Sequence, residues 1–213
     1  MRDTVVDIAR AAGNVLLAHY GKLRRDDADL KDGNRRDLVS QADLDAEEYI
    51  KAHIPEDDDL LSEESPAREQ GASRQWIVDP LDGTVNFLHG IPFWGVSIAV
   101  LENGEFLAGA IHAPALNQTF SAERGEGAHL NGERIDVSKT AALGDSVVAT
   151  GFAYARNELP DHNIDNFVEV CRAAAGVRRM GAAALDLAYT ACGRLDGFWE
   201  LHLNPWDVAA GIL

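Results

Sequence analysis

Trp76-Ile77-Val78-Asp79-Pro80-Leu81-Asp82-Gly83-Thr84 is the stretch from which the rest of the chain is read. Residues 75–78 form a compact apolar run, predicted as a buried strand that stops at Asp79-Pro80. Proline forces a turn, so Asp79 and Asp82 can converge on one point, and the Leu81 carbonyl points into the same space. Two carboxylates and a backbone carbonyl are oxygen-only ligands, which suit a hard cation such as Mg²⁺. Gly83 and Thr84 then open a helix through Val85, Asn86, Phe87 and Leu88, whose free N–H groups can hold a phosphate. A metal site beside a phosphate site is the arrangement metal-assisted phosphoryl chemistry needs. The plain alternative is that Asp82-Gly83 is an ordinary turn. The strand before it and the helix after it count against that.

Working outward, residues 4–20 carry Val5, Ile8, Ala12, Val15, Leu16 and His19 at helical spacing, with Gly21 as a stop. The polar stretch 22–37 reads as an exposed loop or a pair of short strands. Either Ser40 or Asp43 can cap a second helix that ends before Pro55. Residues 59–62 form a short strand, and Glu63-Glu64 at its end can face the Asp79 strand and complete a metal site. The acidic run Glu56 to Asp59 makes a merely solvated loop the competing reading. Strands at 94–101 and 105–112 are joined by Asn103-Gly104, a strong hairpin signal. Residues 119–122 and the Asn131-Gly132 turn extend an antiparallel sheet.

The later part of the chain alternates: strand 146–151, helix 162–175, strand 177–179, helix 182–192, strand 198–201, and a last helix opened by Pro205-Trp206-Asp207. This predicts a mixed α/β (α+β) chain in two layered lobes, residues 1–145 and 146–213. Asp207 in a first helical turn is either a dipole-stabilised carboxylate or a further metal ligand from the second lobe.

Composition sets the limits. The chain of 213 residues carries 19 Lys and Arg against 35 Asp and Glu, a net charge of −16, which disfavours nucleic acid and anionic membranes as partners. Only four of its basic residues are Lys, at 22, 31, 51 and 139, a pattern that salt adaptation and GC-rich coding explain equally. Cys171 and Cys192 lie in Ala-rich stretches and read as buried free thiols, in keeping with a reducing cytoplasm. No secretory h-region and no apolar run long enough to span a bilayer is present. There is no GxxxxGK[ST], HExxH or GxSxG motif. Gly125-Glu126-Gly127 precedes Asn131-Gly132 rather than a helix, so a hairpin is expected there.

With these residues in place, the chain resembles the inositol monophosphatase family of Mg²⁺-dependent, lithium-sensitive sugar phosphatases, and its bacterial branch in particular. The resemblance is carried by Asp37-Leu38-Val39-Ser40 to Asp43, Ser62 to Ser65, Trp76 to Phe87, Gly125 to Gly132, Gly181 to Tyr189 and Pro205 to Gly211. It implies a layered αβαβα sandwich of the sugar-phosphatase type, a cytoplasmic homodimer, and hydrolysis of inositol monophosphate by a metal-activated water. It implies that Glu63, Asp79 and the Leu81 carbonyl hold one Mg²⁺, that Asp79, Asp82 and Asp207 hold a second, and that a third, weaker ion touches Glu63. Gly83 and Thr84 would bind the phosphate through their amides. Glu63 and Thr84, with Asp43 bonded to the Thr84 hydroxyl, would orient and activate the attacking water.

Glu200 matches a position that touches substrate hydroxyls, Ala183 lies in a segment lining the same pocket, and Lys31 falls in a loop that closes on the metals. Relatives with these metal residues hydrolyse fructose 1,6-bisphosphate, histidinol phosphate or nucleotide-derived phosphates, and a non-catalytic protein-binding module is the alternative of another class. Family members ordinarily continue about another 50 residues, so a C-terminal part of the second lobe is expected to be missing from this chain.

Overall fold

The computed structural model of the chain describes residues 1–213 apart from the side chain of Asp32. Helix α1 (Arg2–His19) is followed by two short paired strands, β1 (Asp29–Leu30) and β2 (Leu38–Val39), and by helix α2 (Gln41–His53). Ser40 is the cap of α2, and Asp43 closes the capping box from the third helical position, so the two candidates act together. Strands β3 (Asp59–Ser62), β4 (Arg74–Asp82), β5 (Gly95–Glu102), β6 (Glu105–Ala113), β7 (Gln118–Glu123), β8 (Gly127–Leu130) and β9 (Glu133–Arg134) form one sheet in that order. Helix α3 (Thr84–Leu88) interrupts it after β4. All neighbours in this sheet are antiparallel except β3 and β4, which run parallel.

The remaining elements are β10 (Val147–Thr150), α4 (Ile164–Ala173), β11 (Gly176–Arg178), α5 (Ala183–Ala191), β12 (Gly197–Trp199) and α6 (Pro205–Ile212). The three strands make a parallel sheet ordered β11-β10-β12. Helices α1 and α2 cover one face of the large sheet. Helices α5 and α6 cover the other, and α5 also packs on β10 and β12, while α4 lies against β11. The layers are therefore α, β, α, β, α.

Two apolar cores follow from this stacking. Trp76, Val78, Val96 and Ile98 meet Val5, Ile8, Leu16 and Ile50 on the α1/α2 side. Ile77, Ala99, Ile111 and Phe120 meet Leu185 and Ala209 on the other. Alternation along β4 thus feeds both cores, which is why its sequence reads as a continuous apolar run. Small residues let α6 approach closely: a Cβ on Gly109 would stand 3.3 Å from Ala210 Cα, and one on Gly211 would stand 2.6 Å from Leu187 Cβ.

Two expectations need correction. The strand predicted to stop at Asp79-Pro80 continues to Asp82, with a register shift between Asp79 and Asp82. Pro80 sits inside that irregularity, where the ladder is already broken and its missing N–H removes no pairing. The cysteines are not buried: Cys171 is exposed and Cys192 half-buried. Cys171 lies on α4, an outer helix with no fully buried residue, so its Ala-rich surroundings mark a surface. Among the described residues, no helix is long and apolar enough to cross a membrane.

His112 on β6 is packed against α1 so tightly that a Cβ on Gly13 would lie 2.5 Å from its ring. Its Nδ1 lies 3.0 Å from Thr119 Oγ1 and 3.2 Å from the Gln118 carbonyl. Burial pushes its pKa down to about 4, the Gln118 hydrogen bond opposes this, and Arg10 adds to it. The folded ring thus binds its proton less tightly than the unfolded one. Its contribution to stability is full above the unfolded value near 6.5 and is lost as pH falls toward about 4. Allowing for partial solvation of the ring, the expected loss is about 1–2 kcal/mol. Buried carboxylates with raised pKa run the opposite way, so the effect is read as the difference between the parent and His112→Gln. Urea midpoints at pH 7.5 and 4.5 should fall further for the parent.

Candidate active site

Strand β3 delivers Glu63 by its parallel pairing with β4: Ser62 is paired with Val78, and the Glu63 N–H donates to the Val78 carbonyl at 3.2 Å. Asp79 and Asp82 follow on β4, on either side of the register shift. The Asp79 carboxylate accepts from the Leu81 N–H at 2.9 Å, which curls the intervening backbone. Asp82 Oδ2 accepts from the Ala184 N–H at 2.7 Å, tying β4 to the first turn of α5 across 102 residues of sequence. Asp207 stands at the third position of α6 and accepts from the Asn204 N–H at 2.6 Å.

Gly83 caps α3 with φ of +93°, and a Cβ there would lie 3.1 Å from the Phe93 carbonyl and 3.2 Å from Trp94 Cβ. Both the conformation and the space demand glycine. The Thr84 hydroxyl has Asp43 Oδ1 at 3.0 Å and the Leu81 carbonyl at 3.1 Å as acceptors. With one proton it donates to one at a time. Asp43 Oδ2 in turn accepts from the Ser40 N–H and hydroxyl at 2.8 and 2.7 Å, so the box that starts α2 also orients Thr84.

Glu63, Asp79, Leu81, Asp82, Gly83 and Thr84 line one cavity of about 350 Å³. Ala183, Glu200 and Asp207 line it too, from α5, the end of β12 and α6. Asp43 stands behind Thr84 and is not part of the wall. The Glu200 carboxylate lies flat on Gly151 and leaves no room there for a Cβ. Lys31 reaches in from the loop after β1, its Nζ 2.6 Å from both Glu63 Oε1 and Glu64 Oε1.

Burial dominates the electrostatics. It raises Asp79, with Glu63, Asp82 and Asp207 adding like charge, and it raises Asp82, with Asp207 the main neighbour. It lifts Asp207 to about 6 against the Asn204 hydrogen bond, Asp43 to about 6 against those from Ser40 and Thr84, and Glu64 to about 7. Burial opposes the Lys31 charge as well, yet Glu63 and Glu64 hold its pKa above the ordinary value. These acids crowd together in low dielectric with one ammonium among them, so cationic charge is what the cavity wants. Among the described residues, no three Asp, Glu, His or Cys side chains are spaced to enclose an ion as they stand. In kind, the all-oxygen donor set fits a hard divalent cation, and the Lys31 ammonium is the positive charge that Glu63 meets in this structure.

The sequence reading did not identify Asp186 and Arg179, which also line the cavity. The available signal for Asp186 was an acidic residue inside the otherwise apolar run Ala182 to Tyr189.

A sequence model described as "Inositol monophosphatase family" matches residues 1–213. A Thermotoga maritima protein named fructose-1,6-bisphosphatase/inositol-1-monophosphatase is 40% identical over 214 residues, spanning 99% of this chain and 79% of its own. A Pseudomonas aeruginosa protein named Nus factor SuhB is 38% identical over 223 residues, spanning 100% of this chain and 81% of its own. The crystal structure of the extragenic suppressor protein suhB from Bartonella henselae superposes with a TM-score of 0.89 at 44% identity, over 99% of this chain and 82% of that one.

Proposed function

The chain belongs to the inositol monophosphatase family, and on that premise we propose that it is a Mg²⁺-dependent phosphomonoesterase that hydrolyses inositol monophosphate to inositol and phosphate. The observation that carries this reading is the convergence of Glu63, Asp79, Leu81, Asp82, Thr84 and Asp207 on one cavity. Glu63, Asp79 and the Leu81 carbonyl would hold one ion, and Asp79, Asp82 and Asp207 a second. Cations held there would supply Lewis acidity, which lowers the pKa of water and offsets charge on phosphoryl and leaving oxygens.

The residues of the chain do the rest. Gly83 and Thr84 amides hold the phosphate at the start of α3. Thr84, giving its proton to Asp43, presents a hydroxyl lone pair to the attacking water, and Glu63 takes up the proton that water loses. The Ala184 hydrogen bond holds the Asp82 carboxylate in place, and on this reading Asp82 serves the side of the leaving oxygen. Glu200, seated on Gly151, and Ala183 face the alcohol portion. A homodimer as the working assembly, lithium sensitivity and a cytoplasmic site of action belong to the same reading.

The name of the Pseudomonas relative, Nus factor SuhB, favours a second reading, a protein-binding module on the same fold. The complete set of acidic residues favours the enzyme. Phosphate release from inositol 1-phosphate, fructose 1,6-bisphosphate and histidinol phosphate, with and without Mg²⁺ and with Li⁺ added, tests the choice. Mg²⁺-dependent release that Li⁺ inhibits and that is fastest with inositol 1-phosphate is expected. Faster release from another member of the panel would reassign the substrate, and no release from folded protein would leave the binding module.

A further inference from the structure

Four buried side-chain atoms among the described residues have no hydrogen-bond partner: Ser62 Oγ, Arg74 Nε, Trp94 Nε1 and Asp186 Oδ1. Of these residues only Asp186 lines the active cavity. It is 1% exposed, no more than Asp79 on the same wall. A carboxyl oxygen left unpaired in the interior is costly, and one on a cavity wall has room for a partner that the chain itself does not supply.

Position says what the oxygen is for. Asp186 stands one helical turn after Ala183 on α5, so both face the cavity. Glu200 reaches the same space from the end of β12. Asp186 is close enough to Asp82, and Glu200 to Asp207, for their charges to interact, and Asp82 and Asp207 are the acids that the reading above sets beside the leaving alcohol. Arg179 closes this end, folding back over Gly181 so that a Cβ there would meet its Nη1 at 2.6 Å. Its positive charge faces both acids and opposes the rise that burial causes, which takes Asp186 to about 8 and Glu200 to about 7.

We propose that Asp186 is a specificity-determining residue: together with Glu200 it reads neighbouring hydroxyls of the leaving alcohol, and so selects polyol phosphates over phosphates of alcohols without hydroxyls. The proposal rests on the phosphatase reading above and adds to it a residue that decides between alcohols. A substrate hydroxyl supplies the partner that Asp186 Oδ1 lacks. An aromatic leaving group leaves it unpaired.

The test compares the parent with Asp186→Leu, close in shape but apolar, and with Asp186→Asn, which keeps the shape and one acceptor. The values of kcat and KM are measured with Mg²⁺ on inositol 1-phosphate and on p-nitrophenyl phosphate, and melting temperatures are recorded without substrate. For Asp186→Leu the ratio of kcat/KM between the two substrates is expected to fall about tenfold, mainly through KM for inositol 1-phosphate. Asp186→Asn should fall between it and the parent, by about threefold. Asp186→Leu should not melt below the parent, because it removes an unpaired buried carboxyl oxygen. An unchanged ratio in folded Asp186→Leu would overturn the proposal. So would a parallel loss on both substrates with a lower melting temperature, which is the signature of a structural residue. A parent that releases phosphate from neither substrate would instead overturn the phosphatase reading, and this proposal with it.

Discussion

Asp82→Asn is expected to cut Mg²⁺-dependent phosphate release from inositol 1-phosphate by at least about a thousandfold while the fold survives. The substitution keeps the shape and an oxygen for the Ala184 N–H, whose 2.7 Å bond places the side chain. What it removes is one negative charge beside Asp207, where the proposed mechanism sets the leaving oxygen. Losing a single preorganised electrostatic contact to a transition state costs about 3–4 kcal/mol, and losing an ion held by that contact costs more. Stability should move the other way. Burial and the Asp207 charge already disfavour the ionised Asp82. Metal-free Asp82→Asn protein should therefore melt no lower than the metal-free parent. A side chain needed only for folding would show the reverse pattern, so activity and melting temperature together identify its role.

Trp94→Ala should destabilise the chain by about 3–5 kcal/mol, read as a lower urea midpoint. Trp94 is fully buried, 4.9 Å from Phe87 edge to face and 5.0 Å from Tyr20 between ring centroids. That aromatic group fills the space under α3, and Trp94 Cβ is one of the atoms that press on Gly83. Removing the indole leaves a cavity below the turn that would hold the phosphate, so the residual activity should fall as well. Trp94→Phe separates the two contributions. It keeps most of the packing and sheds an indole N–H that has no partner, so it should cost only about 1–2 kcal/mol.

Local chemistry was the legible part of this molecule. Asn103-Gly104 and Asn131-Gly132 announced hairpins because only a few residues tolerate positive φ, and both asparagines adopt it here. Ser40 announced a helix start, and Asp79 to Thr84 announced a strand, a turn and a helix. What stayed hidden depends on layers meeting at long range. The dual task of Asp43 requires α2 to lie beside α3, so that one oxygen serves the helix cap and the other Thr84. The place of Asp186 depends on α5 being sandwiched between the two sheets, which turns an apolar-looking helix face into a cavity wall. Cys171 was misread for the same reason. Alanine-rich sequence marks a helix, and only the order of the layers says whether that helix is outermost. At Pro80 the error was local: proline ends a regular strand, but it is tolerated where the ladder is already irregular.

Calorimetric titration of Mg²⁺ into the folded, chelator-treated chain, beside Asp82→Asn, tests most directly whether these carboxylates form a metal site. The parent should take up Mg²⁺ saturably and gain about 2.7 kcal/mol of stability at a hundred times the dissociation constant, while the variant binds far more weakly and gains little. A folded parent that takes up no Mg²⁺, and whose melting temperature is the same in Mg²⁺ and in chelator, would contradict it.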